Sequence, residues 1–111
     1  MLSRKALALA SLSTIVCTAS GASAEDLKSS TFLTYPADSQ KSYINTSVLM
    51  ATIIAAQNSK DHAACIGDWS GRYVGDGYQP VIEAMRKFPE HHPTGVILAV
   101  LKKACGTFSY K

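Results

Sequence analysis

A pair of short amphipathic segments, separated by a proline-bounded joint, constrains this chain more than any other feature. In residues 78–88, Pro80 suits a first helical turn, where its missing N–H costs nothing. Pro89 then bars continuation of the helix. One apolar face recurs at helical spacing between them, formed by Val81, Ile82, Met85 and Phe88. The segment therefore predicts a helix that ends at the joint, residues 89–93.

The second segment, residues 94–106, predicts another helix. Thr94 can cap its start by accepting a backbone hydrogen bond. Gly106 suits the position just after its end, where a left-handed conformation is common. The apolar stripe of this helix consists of Ile97, Leu98, Leu101, Ala104 and Cys105. A helix that finishes in a cysteine can be anchored there by a disulfide.

A longer helix is predicted over residues 39–58, with Asp38 or Ser39 as its cap. From Val48 to Ala56 nearly every side of this helix is apolar. A helix that is apolar all round is usually covered on several sides. We therefore expect this helix to be the centre of the domain, with Ile53 buried and the two shorter helices packed across it.

Residues 1–24 have the pattern of a secretory signal peptide. A positive pair precedes a small apolar run, and Ala22-Ser23-Ala24 matches a cleavage site. The apolar run is too short for a membrane span. Lipidation at Cys17 is the alternative, but Val16 stands where a small residue is needed. The pattern predicts a periplasmic protein with no membrane span.

The mature domain would then cover residues 25–111, with residues 25–37 as a flexible leader that can dock through Leu27, Phe32 and Leu33. Removing residues 1–24 also removes two basic residues, so the formal net charge falls from +3 to +1 (3 − 2). A nearly neutral domain of this size gives no reason to expect nucleic acid or an anionic membrane as its partner.

Cleavage would leave two cysteines, Cys65 and Cys105. An even number in a small exported domain favours one disulfide, whereas two thiols packed in the core are the alternative. Closing a loop of this length stabilises a domain by about 4 kcal/mol in the chain-entropy model. The expected fold class is therefore all-α: a small single-domain helical bundle, with a central helix and two shorter helices, held by one disulfide.

Residues 67–78 interleave glycines with large side chains, and this density of glycine predicts turns rather than a regular element. The large side chains are of the types that dominate protein–protein interfaces. We therefore predict a partner-binding surface formed by Trp69, Arg72, Tyr73 and Tyr78. The alternative, equally open from the sequence, is that Trp69 and Tyr73 fold inward and cover a small core.

No combination of residues indicates catalysis or a bound metal. A cysteine with His62, His91 or His92 could form a thiol nucleophile, but a disulfide explains the cysteines more simply. Adjacent histidines rarely ligate one ion, and no further ligand stands at a suitable spacing. The expectation is a protein that is not an enzyme and holds no cofactor or metal.

The order of short motifs resembles that of the Rap1a/Tai immunity proteins of type VI secretion systems. The motifs are Tyr43-Ile44-Asn45, Cys65-Ile66, Gln79 with Val81-Ile82, His92-Pro93 and a last helix ending in Cys105. The chain departs from the family pattern at Gly67, where a proline is common, and at Lys103-Ala104, where a Phe-Pro pair is common. In size and architecture the chain is also similar, more distantly, to the HdeA/HdeB periplasmic proteins.

The first resemblance implies a non-catalytic periplasmic module that binds a protein partner, a secreted cell-wall-degrading effector that it neutralises. The second implies the alternative function, an acid-stress chaperone that exposes apolar surface on acidification. A homodimer is compatible with both.

Overall fold

The structure is a computed structural model that describes residues 26–108, and this part of the chain is all-α, without strands. The signal peptide predicted over residues 1–24 lies outside the described residues, as do residues 109–111. Five helices follow one another: α1 (Ser29–Phe32), α2 (Ala37–Ala56), α3 (Lys60–Tyr73), α4 (Gln79–Lys87) and α5 (Pro93–Cys105). The predicted all-α class is confirmed, although the described helices outnumber the three that the sequence suggested.

A disulfide joins the middle of α3 to the last residue of α5. It links Cys65 to Cys105, whose Cα atoms are 5.8 Å apart. The predicted pairing is confirmed, and the alternative of two separate thiols is wrong. The bond fixes α5 against α3 at the end of the chain's last helix.

Local signals explain where α4 and α5 begin and end. Pro80 and Pro93 occupy their first turns, and Gly106 follows α5 with a φ of 95°. The predicted cap of α5 was wrong, because Nδ1 of His92 accepts the hydrogen bond from the Thr94 N–H at 3.1 Å. The Thr94 hydroxyl instead bonds to the hydroxyl of Tyr43 at 2.6 Å.

The start of α2 also differs from the prediction. Pro36 precedes its first residue, and no side chain caps it. Asp38 lies in the first turn instead, where its negative charge interacts favourably with the positive end of the helix dipole. The prediction of a capping side chain at Asp38 or Ser39 was therefore wrong, although the helix itself is confirmed within two residues at each end.

Helix α3 was not predicted, because glycines at positions 67 and 71 indicated turns. Ser59 caps α3 by accepting a hydrogen bond from the His62 N–H at 3.1 Å. Ile66 and Trp69 are buried at helical spacing, and α3 packs along α2. Burial against another helix outweighs the roughly 1 kcal/mol that each glycine costs in a helix interior.

The turn after α3 contains two residues in the left-handed conformation. Gly77 has a φ of 75°, and its N–H bonds to the carbonyl of Val74 at 3.2 Å. The N–H of Tyr78 reaches the carbonyl of Tyr73 at 2.8 Å, which completes the helix-ending motif that favours glycine. Tyr78 itself has a φ of 62°, an unfavourable value for a bulky residue. Its surroundings must therefore hold it there.

Those surroundings give us a stability prediction for Tyr78. Its side chain is completely buried, and its hydroxyl donates to Asn45 Oδ1 and bonds to Ser70 Oγ at 2.8 Å. Tyr78→Phe should lower the free energy of unfolding by about 1–2 kcal/mol, because its buried hydroxyl links the start of α4 to Asn45 of α2 and Ser70 of α3. Urea denaturation measures the change. Tyr35→Phe, at an exposed tyrosine, is the control, and equal losses in both variants would contradict the prediction.

The other helices cover α2 on one side only. That side carries Ile44, Val48, Ala51 and Ala55, which are buried, and α2 packs chiefly against α3 and also against α5. Ile53 is 53% exposed. The expectation of a central helix covered on several sides, with Ile53 in the core, was therefore wrong. In a domain with so few helices, both neighbours of α2 pack against the same face.

The predicted leader packs onto the joint between α4 and α5. Phe32 is completely buried, which agrees with the docking that the sequence allowed. The Ser29 N–H and hydroxyl both donate to the carbonyl of His91, at 2.8 and 2.7 Å. Beside them, an exposed ion pair joins Lys28 to Glu90 at 2.8 Å. Their hydrogen bond, reinforced by charge attraction, lowers the pKa of the Glu90 carboxyl and raises the pKa of the Lys28 ammonium.

Candidate protein-binding surfaces

The four residues predicted as partner contacts do not form one surface. Trp69 is 3% exposed and Tyr78 is completely buried, and their rings stack with centroids 5.7 Å apart. Tyr73 is half-buried beside Trp69, and Arg72 is exposed with its guanidinium 5.8 Å from the Tyr73 ring centroid. Trp69 and Tyr78 are thus core residues. Of the two aromatics that the alternative interpretation folds inward, Trp69 is buried and Tyr73 is partly buried against the core. For Arg72 and Tyr73, contact with a partner stays a prediction.

A different surface emerges on the outer side of α2. Leu49 and Met50 are each 58% exposed, Ile53 is 53% exposed and Ile54 is 40% exposed. Because Leu49 precedes Ile53 by four residues and Met50 precedes Ile54 by four, the side chains form two adjacent rows on the helix. We call these four residues the α2 surface. It lies on the opposite side of the helix from the buried Val48 and Ala51.

The α2 surface lies in a long stretch without charge. Residues 42–59 contain no Asp, Glu, Lys, Arg or His. The solvated side of a helix usually carries charged residues, and contiguous exposed apolar side chains usually mark a contact with another molecule. Toward the start of α2 the same side of the helix is exposed and polar but still uncharged, at Ser42 and Thr46. The surface therefore resembles an interface core with a neutral polar edge.

A second apolar surface is a groove between α4 and α5, with a volume of about 510 Å³. Ala84, Val96, Ala99 and Val100 contribute to its lining, together with Phe88, which is 52% exposed. Lys87, Lys103 and Glu83 also border it. The groove is thus apolar inside and charged at its edge, unlike the α2 surface.

Two of the three histidines have clear structural roles. His92 caps α5, and the backbone of His91 holds α1. The ring of His62 lies 4.6 Å from that of Phe108, and its Nε2 is buried without a hydrogen-bond partner. Within residues 26–108, no three side chains of the metal-binding types lie close enough to hold an ion.

The sequence contained a signal for the α2 surface that periodicity alone did not reveal. An amphipathic surface helix alternates apolar residues with charges, whereas this stretch has apolar residues on all sides and no charge on any. Either a fully buried helix or an exposed interface satisfies that pattern. Only the positions of the neighbouring helices distinguish the two.

Comparison with known proteins finds no relative of this chain. No protein-family model matches the chain, and no curated protein or solved structure matches it either. In the part of the chain that the structure describes, none of the helices has the length and apolar character needed to cross a membrane. The resemblance to the Rap1a/Tai proteins therefore stays a sequence-based prediction.

Proposed function

We propose that this protein is a non-catalytic, periplasmic protein-binding module. The observation that carries the proposal is the α2 surface, four large apolar side chains that the domain leaves about half exposed. Exposure of such a patch to water is unfavourable unless another molecule covers it. The disulfide between Cys65 and Cys105 and the signal-peptide pattern in residues 1–24 support an oxidising compartment outside the cytoplasm.

The partner that we propose is a secreted cell-wall-degrading effector, which the module neutralises as an immunity protein. This role rests on the motif resemblance, and it requires a binding surface rather than catalytic residues. We propose the α2 surface for this role. The proposed main contacts are therefore Leu49, Met50, Ile53 and Ile54 in place of residues 67–78. Arg72 and Tyr73 stay as predicted secondary contacts.

Ile53→Asp should preserve the fold and weaken inhibition of the effector. The new carboxylate stays hydrated at a half-exposed position, so the thermal midpoint should change by no more than about 3 °C. Placed in an apolar interface, the same charge should cost about 2 kcal/mol or more of binding, which is roughly thirtyfold in affinity. The measurement is peptidoglycan hydrolysis by a candidate effector, any cell-wall hydrolase that is found encoded beside this protein's gene, titrated with wild type and variant.

Phe88→Asp is the matched control, because Phe88 is as exposed as Ile53 but lines the groove between α4 and α5. It should inhibit the hydrolase as well as wild type does. Loss of inhibition in Phe88→Asp but not in Ile53→Asp would move the site to the groove. If the wild-type protein does not inhibit the hydrolase at all, the immunity role is wrong.

One feature favours the acid-stress chaperone as a second candidate. With no carboxylate, histidine or basic side chain in residues 42–59, the α2 surface gains no charge on acidification and stays able to bind apolar segments of other proteins. Suppression of the aggregation of a second protein at acid pH, lost in Ile53→Lys because its ammonium stays charged in acid, would support this function over the immunity role.

A further inference from the structure

We propose that the groove between α4 and α5 is a second binding site, and that its ligand is a fatty acid, a single alkyl chain that ends in a carboxylate. This inference goes beyond the proposed function, because it concerns a different surface and a different class of ligand from those of the α2 surface.

The interior of the groove is suited to an alkyl chain. Small residues line it from both helices, Ala84 on α4 and Gly95 and Ala99 on α5, and the space between them has a volume of about 510 Å³. That volume lies within the roughly 300–1,000 Å³ typical of small-ligand sites. Phe88, which is 52% exposed, adds a large apolar side chain to the lining. None of these four side chains can form a hydrogen bond, so the interior favours an apolar ligand.

The charges at the edge of the groove favour an anionic head group. Lys87 ends α4 beside the joint, and Lys103 borders the groove near the far end of α5. Within residues 26–108 neither lysine takes part in an ion pair, so both ammonium groups are free to contact a ligand. Glu83 also borders the groove, but the two lysines outnumber it. A carboxylate, which is ionised at neutral pH, therefore complements this edge better than a neutral or cationic group does.

The dimensions of the groove fit a chain better than a helix. Gly95 and Lys103 are eight positions apart on α5 (103 − 95), which is about 12 Å along the helix. An extended alkyl chain advances roughly 1.3 Å per carbon, so about ten carbons span this distance. Neighbouring helices usually pack about 8–10 Å apart. A third helix, itself about 10 Å across, would therefore rest on the edges of the groove rather than enter it.

The test is calorimetric titration of the disulfide-bonded protein with dodecanoate, below its micellar concentration and up to about 1 mM. Wild type should bind with a dissociation constant on the order of 100 μM, as expected for partial burial of one alkyl chain. The shorter octanoate should bind at least about tenfold more weakly, because each methylene group withdrawn from water improves affinity by up to about fourfold. Dodecyltrimethylammonium, which has the same chain and the opposite charge, should also bind at least about tenfold more weakly.

A pair of aspartate variants locates the chain. Phe88→Asp places a carboxylate in the groove and should weaken dodecanoate binding at least about tenfold. Ile53→Asp is the matched control, because Ile53 is as exposed as Phe88 but lies on the α2 surface. It should bind dodecanoate like wild type. Circular dichroism melting confirms that each variant is folded.

A second pair of variants tests the head group. Reversing both charges at the groove, in Lys87→Glu combined with Lys103→Glu, should weaken dodecanoate binding at least about tenfold. The control makes the same change in net charge at two exposed lysines outside the groove, in Lys41→Glu combined with Lys60→Glu. The control should bind dodecanoate like wild type, since only lysines at the groove contact the carboxylate.

Three results would overturn the inference. The first is a wild-type protein that does not bind dodecanoate at about 1 mM. The second is binding that Ile53→Asp abolishes and Phe88→Asp preserves, which would place the chain on the α2 surface. The third is equal binding of dodecanoate and dodecyltrimethylammonium.

Failure of this inference is distinguishable from failure of the proposed function. If wild type inhibits the hydrolase but does not bind dodecanoate, only the fatty-acid site is wrong. If it binds dodecanoate but does not inhibit, only the immunity role is wrong. If no dodecanoate binds and Phe88→Asp loses inhibition, the groove takes a protein instead.

Discussion

Replacing Cys65 and Cys105 together with serine should lower the free energy of unfolding by about 4 kcal/mol. The bond joins residues 40 positions apart, and its removal restores conformational freedom to that loop in the unfolded chain. A small domain has only about 5–15 kcal/mol of net stability, so this loss is a large fraction of the total. The thermal midpoint should fall by roughly 15–30 °C.

Denaturant unfolding of the wild type and the double-serine variant measures this effect. Wild type treated with a reductant is the matched control, since it loses the bond but keeps both sulfur atoms, and it should unfold at nearly the same denaturant concentration as the variant. A loss below about 1 kcal/mol would contradict the prediction. It would mean that the contacts of α5 with α3 hold the end of the chain without the covalent link.

Helices α4 and α5 could be predicted from local boundary signals. Pro80 and Pro89 delimit α4, and Gly106 follows α5 with the positive φ that favours glycine. These residues act through their own backbone, so neighbours in space are not needed to interpret them. The cysteine pairing was predictable for a similar reason, because only two cysteines remain after residue 24.

Helix α3 could not be predicted, because its stability comes from packing. Gly67 and Gly71 lie on its exposed side, where a side chain would contact nothing within 4 Å. Their conformational freedom weakens the helix locally, and burial of Ile66 and Trp69 compensates for it. A single sequence shows the glycines but not the neighbouring helix.

The α2 surface could not be predicted for a related reason. Helical periodicity identifies which side chains share a face, but it does not say how many neighbours the helix has. With apolar residues on all sides, Val48 and Ile53 were equally good candidates for the core. The structure buries Val48 and leaves Ile53 half exposed, because α3 and α5 approach α2 from the same side. The site is therefore a consequence of helix arrangement, not of a motif.

Trp69→Ala should destabilise the domain by about 3–5 kcal/mol, the usual cost of emptying a large buried aromatic site. The Trp69 side chain is buried against Tyr78 and contacts Tyr73, with ring centroids 5.7 and 5.3 Å away. Its removal also withdraws the ring that packs on Tyr78, a residue held in an unfavourable left-handed conformation. The loss should therefore fall in the upper half of that range.

The matched control for Trp69→Ala is Arg72→Ala, three residues further along α3 and exposed. Arg72→Ala should change the free energy of unfolding by no more than about 0.5 kcal/mol. Thermal melting and hydrolase inhibition, measured on both variants, separate the two interpretations of this segment. A core role for Trp69 lowers the melting temperature strongly. A role as a partner contact would instead leave the melting temperature unchanged and abolish inhibition, and that outcome would contradict the burial of Trp69 beneath Tyr73 and Tyr78.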